Sequence, residues 1–167
     1  MIIVSLVLVF TLAGTGGNGT STTTTTTVTQ VVSAKGKPCV AVADPLPTGA
    51  PAVPVQIGPP PTKLVKTDLK IGKGPVVPVG GKVEVNYIGV ACSTGKIFQS
   101  SYGQQSFTAD LNNQVIPGWI KGLPGMRVGG RRLLGIPSAD AYGPSGSGAS
   151  IEPDEALWFV VDAVSLK

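Results

Sequence analysis

The chain has 167 residues, 42% of them hydrophobic, which is enough to fill one domain core. Its formal charge is +4 with only 13% charged residues, too thin for the dense Lys/Arg face of a nucleic-acid binder. It contains no histidine, so the commonest metal ligand and general base are missing, and with them Ser-His-Asp and Cys-His catalysis. Chemistry that breaks no covalent bond is favoured, and neither a metal nor a cofactor is expected. Glycine (23) and proline (15) are abundant, which argues for strands, turns and extended segments over long helices. Lys121, Arg127, Arg131 and Arg132 are the nearest thing to a basic patch, and read as a solvated strand face.

Residues 1–15 begin with an apolar run, Ile2 to Ala13, that closes on small residues. It is too short for a comfortable membrane span and resembles the hydrophobic region of a secretory signal, although no positive residue precedes Ile2. Membrane contact is therefore expected only through this segment, either cleaved or kept as a weak anchor. Thr15 stands where a bacterial lipoprotein would carry its acylated cysteine, so lipidation there is excluded. Residues 16–34 include the unbroken Thr22–Thr27 run and read as a disordered tether.

Residues 35–63 carry Pro38, Pro45, Pro47, Pro51, Pro54 and the triplet Pro59-Pro60-Pro61, and cannot form a helix. This stretch is either a polyproline-II linker or an extended arm lying along the domain that follows. The two cysteines, Cys39 in the arm and Cys92 beyond it, read as one disulfide in an exported chain, against two free thiols. Such a bridge would pin the arm and contribute on the order of 3–4 kcal/mol.

From Leu64 to Lys167 the pattern changes to short, punctuated strands. Lys82 to Ile88 alternates polar and apolar residues between Gly80-Gly81 and Ser93-Thr94-Gly95, as a half-buried strand should. Arg131 to Ile136 and Ala156 to Leu166 are further strands, and the near-continuous apolar character of the second marks it as central. Tyr142 to Ser150 reads as a loop. One short helix is predicted around Pro117, which suits a first helical position and places Trp119, Ile120 and Leu123 on one face. Two glycines make it a poor helix in isolation, so tertiary packing must hold it. The expected fold is α+β, an antiparallel sheet wrapped around one short α-helix, with an extended N-terminal arm.

Several blocks now align with a known family. Val115-Ile116-Pro117-Gly118-Trp119, then Gly122-Leu123 and Met126 to Arg132, resemble the helix and following strand of FKBP-type peptidyl-prolyl cis/trans isomerases. Ala141-Tyr142-Gly143 and Leu157 to Asp162 resemble that family's long loop and last strand. Val85 to Gly89 and Thr94 to Ser101 complete the set, in family order over about a hundred residues. Looser similarity links the Cys39 arm to exported actinobacterial members.

The resemblance implies an apolar pocket for a proline ring. Trp119 would form its floor, and Tyr87, Phe98, Phe107, Val115, Ile116 and Phe159 its walls. The Ile116 N–H would bind a substrate carbonyl and the Tyr142 hydroxyl would donate to the bound amide. Trp158, adjacent to Phe159, must face the other side of the sheet and reads as structural or as a surface contact. Most active members carry an aspartate where this chain has Gln99, which keeps an acceptor but loses the charge. Reduced turnover or weaker macrolide binding is expected from that change. Ser147 and Ser150 stand where bulkier apolar residues are common, and would make the rim shallower.

The function implied is isomerisation of X–Pro bonds during the folding of exported proteins. Proline-containing polypeptides and macrolide inhibitors are the expected partners of a monomeric, secreted or cell-envelope protein. The competing reading is a module or chaperone that holds proline segments with little turnover. A surface adhesin or wall-associated domain is a third, suggested by the Thr tract and the Pro-rich arm.

Overall fold

The computed structural model describes residues Val32–Lys167, which form one compact unit. The signal-like segment and most of the Thr-rich stretch lie outside the described residues. Six strands and one α-helix follow in the order β1 (Val65–Lys70), β2 (Lys82–Ala91), β3 (Ile97–Ser100), β4 (Phe107–Asp110), α1 (Pro117–Gly122), β5 (Arg131–Ile136) and β6 (Leu157–Leu166). The sheet runs β1-β5-β6-β2-β3 with β4 also on β2, and the pairings are antiparallel. The apolar strand β6 is central, between β5 and β2, as its composition predicts.

Alternation along the strands sorts the side chains onto two faces. On the inner face Val83, Val85, Tyr87, Leu134, Ile136, Phe159 and Val161 pack against Trp119, Leu123 and Met126. Helix α1 begins at Pro117, as predicted, and no side chain caps it. Its two glycines have a tertiary purpose. A Cβ on Gly118 would lie 2.5 Å from Ile136 Cγ2, and one on Gly122 would lie 2.9 Å from Leu134 Cδ2. The helix thus rests directly on β5, and its residues trade helix propensity for that close approach.

The outer face carries Ile88, Val90, Leu133, Trp158 and Val160, and is covered by the proline-rich arm through Cys39, Val42, Ala50, Val53 and Val55. Cys39 and Cys92 form a disulfide. Around it the Val40 N–H donates to the Cys92 carbonyl at 2.9 Å, and the Ala43 N–H to the Gly95 carbonyl at 2.8 Å. The Asp44 carboxylate accepts the Ile97 N–H at 2.7 Å. Glu155, only 2% exposed, receives both the N–H and the hydroxyl of Ser93 and so holds the turn next to Cys92. Trp158 is 1% exposed under the arm, and its Nε1–H donates to Cys39 Sγ at 3.3 Å. It is a core residue of this second layer, not a surface contact.

Lys121 and Arg127 are exposed as expected, but Arg131 and Arg132 depart from the expected solvated face. Arg132 is buried, pairs with Asp68 at 2.7 Å and donates to the carbonyls of Gly122 and Pro124. Arg131 holds Asp162 through two bonds of 2.6 and 2.7 Å. A strand position facing the end of α1 must satisfy the helix's last carbonyls, and Arg132 does so.

Candidate functional site

Four rings meet where α1 crosses the sheet. The Trp119 indole lies 5.1 Å from the Tyr87 ring, 5.4 Å from Phe159 and 6.1 Å from Phe107, edge-to-face in each case. Such geometry is favourable beyond the area it buries. Among the described residues Trp119 Nε1–H is buried without a hydrogen-bond partner, so packing rather than hydrogen bonding holds the indole. Above the rings opens a depression of about 440 Å³ lined by Tyr87, Gln99, Phe107, Val115, Ile116, Trp119, Tyr142 and Phe159, together with Asn113 and Gln114.

Of the residues singled out from sequence for the pocket, Phe98 does not line it, and neither do Ser147 and Ser150, which were expected at its rim. Phe98 packs edge-on against Phe159 at 5.5 Å, in the space left by the missing Cβ of Gly89, and reaches the site only through that ring. Asn113 and Gln114 are the lining residues that sequence reasoning missed. Their one signal was adjacency to Val115 in the link between β4 and α1.

Each polar group is placed by local structure. Ile116 precedes the first helical residue, and its carbonyl accepts the N–H groups of Trp119 and Ile120 at 2.9 and 3.3 Å. Its own N–H has no acceptor among the described residues. Tyr142 follows a 3-10 turn, Ser138–Asp140, in which Asp140 pairs with Lys121 of α1 at 2.6 Å. That pair ties the tyrosine loop to the helix bearing Trp119. The base of the loop is closed by the Asp154 N–H on the Gly143 carbonyl at 2.9 Å. The Tyr87 hydroxyl has its pKa raised, by burial first and then by the neighbouring Tyr142, so it remains a protonated donor at neutral pH.

A second depression of about 370 Å³ lies in the arm, lined by Val42, Leu46, Val53, Ile57 and their neighbours. No aromatic ring lines it, and its one carboxylate, Asp44, is engaged by the Ile97 N–H. The aromatic depression is therefore the candidate site. What it offers is an apolar cradle beside neutral donors, with no charged residue in its lining.

The sheet wrapped on one short helix is the architecture of solved isomerases. A peptidyl-prolyl cis-trans isomerase from Pseudomonas syringae superposes with a TM-score of 0.57 at 36% identity, covering 62% of this chain and 75% of its own. Residues 74–164 match the family model of the FKBP-type peptidyl-prolyl cis-trans isomerase. A probable FK506-binding protein of Corynebacterium glutamicum is 43% identical over 115 residues, 69% of this chain and 97% of the relative. An FK506-binding protein of Streptomyces anulatus is 44% identical over 119 residues, 70% and 96% of the two chains. The chain belongs to the FKBP-type peptidyl-prolyl cis-trans isomerase family, and its enzyme class is that of the family. Both of these relatives come from actinobacteria, the group to which the resemblance pointed.

Proposed function

We propose that the aromatic depression binds X–Pro segments and accelerates their rotation, in the service of exported proteins that must fold outside the cytoplasm. The observation that carries this reading is the convergence of Trp119 with two donors that have no partner among the described residues, the Ile116 N–H and the Tyr142 hydroxyl. Rotation about a prolyl bond must overcome about 18–20 kcal/mol, because resonance makes the planar amide stiff and dipolar. A water-poor pocket disfavours that dipolar form relative to the twisted one. The proline ring would sit on Trp119 between Tyr87, Phe107, Val115 and Phe159. Donors placed where the twisted carbonyl stands then bind the transition state better than the ground state. No step requires a nucleophile or a proton shuttle, which agrees with the missing histidine. Gln99 takes the role of an orienting acceptor on the β3 side.

The arm supports the exported setting. A disulfide in a chain with two cysteines belongs in an oxidising compartment. Macrolides of the FK506 type would occupy the same cradle, with lower affinity where a carboxylate acceptor is lost at Gln99. A proline-limited refolding assay tests the reading, run with and without a macrolide. Acceleration that falls in Tyr142→Phe and Trp119→Leu supports it. A wild type without acceleration, restored by Gln99→Asp, would instead establish a binding module.

A further inference from the structure

The rim of the depression has a property that its aromatic floor does not account for. None of its ten lining residues is charged. Its outward polar groups are the carboxamides of Gln99, Asn113 and Gln114, contributed by β3 and by the link between β4 and α1. All three side chains are exposed, and among the described residues none makes a side-chain hydrogen bond within the protein. Asn113 is also held at φ +68°, a left-handed conformation that asparagine tolerates better than most residues.

Among the described residues, the charges on the strands and the helix that build the site are engaged in ion pairs, while Asp154 and Glu155 beyond the tyrosine loop are held by Ser33 and Ser93. On β4, Asp110 meets Lys82 of β2 at 3.0 Å, and on α1, Lys121 meets Asp140 of the tyrosine loop at 2.6 Å. Asp162 of β6 is held by Arg131 at 2.6 Å, and Glu84 of β2 by Lys167 at 2.8 Å. The depression therefore faces substrate with little net field, and its rim can both donate to and accept from a passing backbone.

We propose that Gln99, Asn113 and Gln114 form a neutral carboxamide rim that makes the site indifferent to charge beside the proline, so that acidic, neutral and basic X–Pro segments are accepted alike. The proposal rests on the aromatic depression being the prolyl site. A carboxamide bonds peptide N–H and C=O groups, which every substrate has, and neither repels a glutamate nor attracts a lysine. An isomerase serving many unrelated polypeptides gains breadth from such a rim.

Three peptides differing only in the residue before proline (Glu, Gln or Lys) give the test, with kcat/KM measured at low and at high salt. The wild type is expected to treat all three within about fivefold, with little salt effect, since exposed charge contacts are weak and screened. Gln99→Asp is expected to prefer the lysine peptide over the glutamate peptide by about three- to tenfold more than the wild type does, and to lose that preference at high salt. A wild-type preference beyond about fivefold overturns the proposal, as does a Gln99→Asp variant with no new preference. If no peptide is turned over, the isomerase reading fails instead. The same two ratios, read from quenching of tryptophan fluorescence on peptide binding, then decide the charge question separately.

Discussion

Among the described residues the Tyr142 hydroxyl and the Ile116 N–H have no acceptor at the open depression, whereas the Trp119 N–H is buried and unpartnered. This difference separates the roles of the side chains. Tyr142→Phe removes one hydroxyl from a residue 37% exposed and leaves packing intact. It is expected to lower kcat/KM by about three- to tenfold, the worth of one net hydrogen bond, with an unchanged melting temperature. Trp119→Leu empties part of the floor without orphaning any partner. It should cost about 1–3 kcal/mol of stability by urea titration and a larger share of activity. Unchanged activity in both variants would remove the site from this depression.

At the scale of elements, α1 and the arm each depend on contacts that no local rule supplies. Gly118 lets the helix touch Ile136, so Gly118→Ala must push α1 and the Trp119 floor away from β5. A loss of about 1–3 kcal/mol is expected despite the better helix propensity of alanine, together with reduced activity. The arm sits on the opposite face of the sheet from the depression. Replacing Cys39 and Cys92 together by serine should therefore cost on the order of 3–4 kcal/mol in thermal or urea unfolding while leaving kcat/KM nearly unchanged. A large loss of activity at temperatures where the variant stays folded would show that the two faces are coupled.

For the whole molecule, the ion pairs set the response to pH. Asp68 is held below the ordinary carboxylate range chiefly by its hydrogen bonds from Arg132. For Asp162, burial acts to raise the pKa, but Arg131 and Tyr102 outweigh it and the net shift is downward. A carboxyl whose folded pKa is depressed stabilises the fold above its unfolded value and loses that contribution as pH falls through the folded one. Burial and the bond to Asp162 raise the Tyr102 pKa, which works in the opposite direction. Its contribution is present below the unfolded value near 10 and fades as pH rises beyond it. Stability should thus be flat from about pH 5 to 9, fall below about pH 4 and fall again above about pH 10. Activity should follow the same plateau, because the depression is lined by no carboxylate, histidine, lysine or arginine. A bell-shaped activity profile inside that window would point to an ionisable group absent from the depression.

Much of this was legible in the amino-acid order because the signals are local. Alternation marked β2, continuous apolar character marked β6 as central, and Pro117 marked the start of α1. The absence of histidine removed the commonest general base, and with it Ser-His-Asp and Cys-His catalysis, before any fold was known. The aromatic residues were legible as a set only through the resemblance of several short blocks taken together. Tertiary structure alone decided which sheet face each layer covers, since that depends on contacts between distant segments such as Cys39 and Cys92, 53 residues apart. It turned the choice between a bridge and two thiols into a bridge, put Trp158 under the arm and drew Arg132 inward to the end of α1. It also set Phe98 behind Phe159 and brought Asn113 and Gln114 to the rim. Residue type and spacing determine what a segment can bury or bond. Which partner it meets is decided only when the whole chain closes.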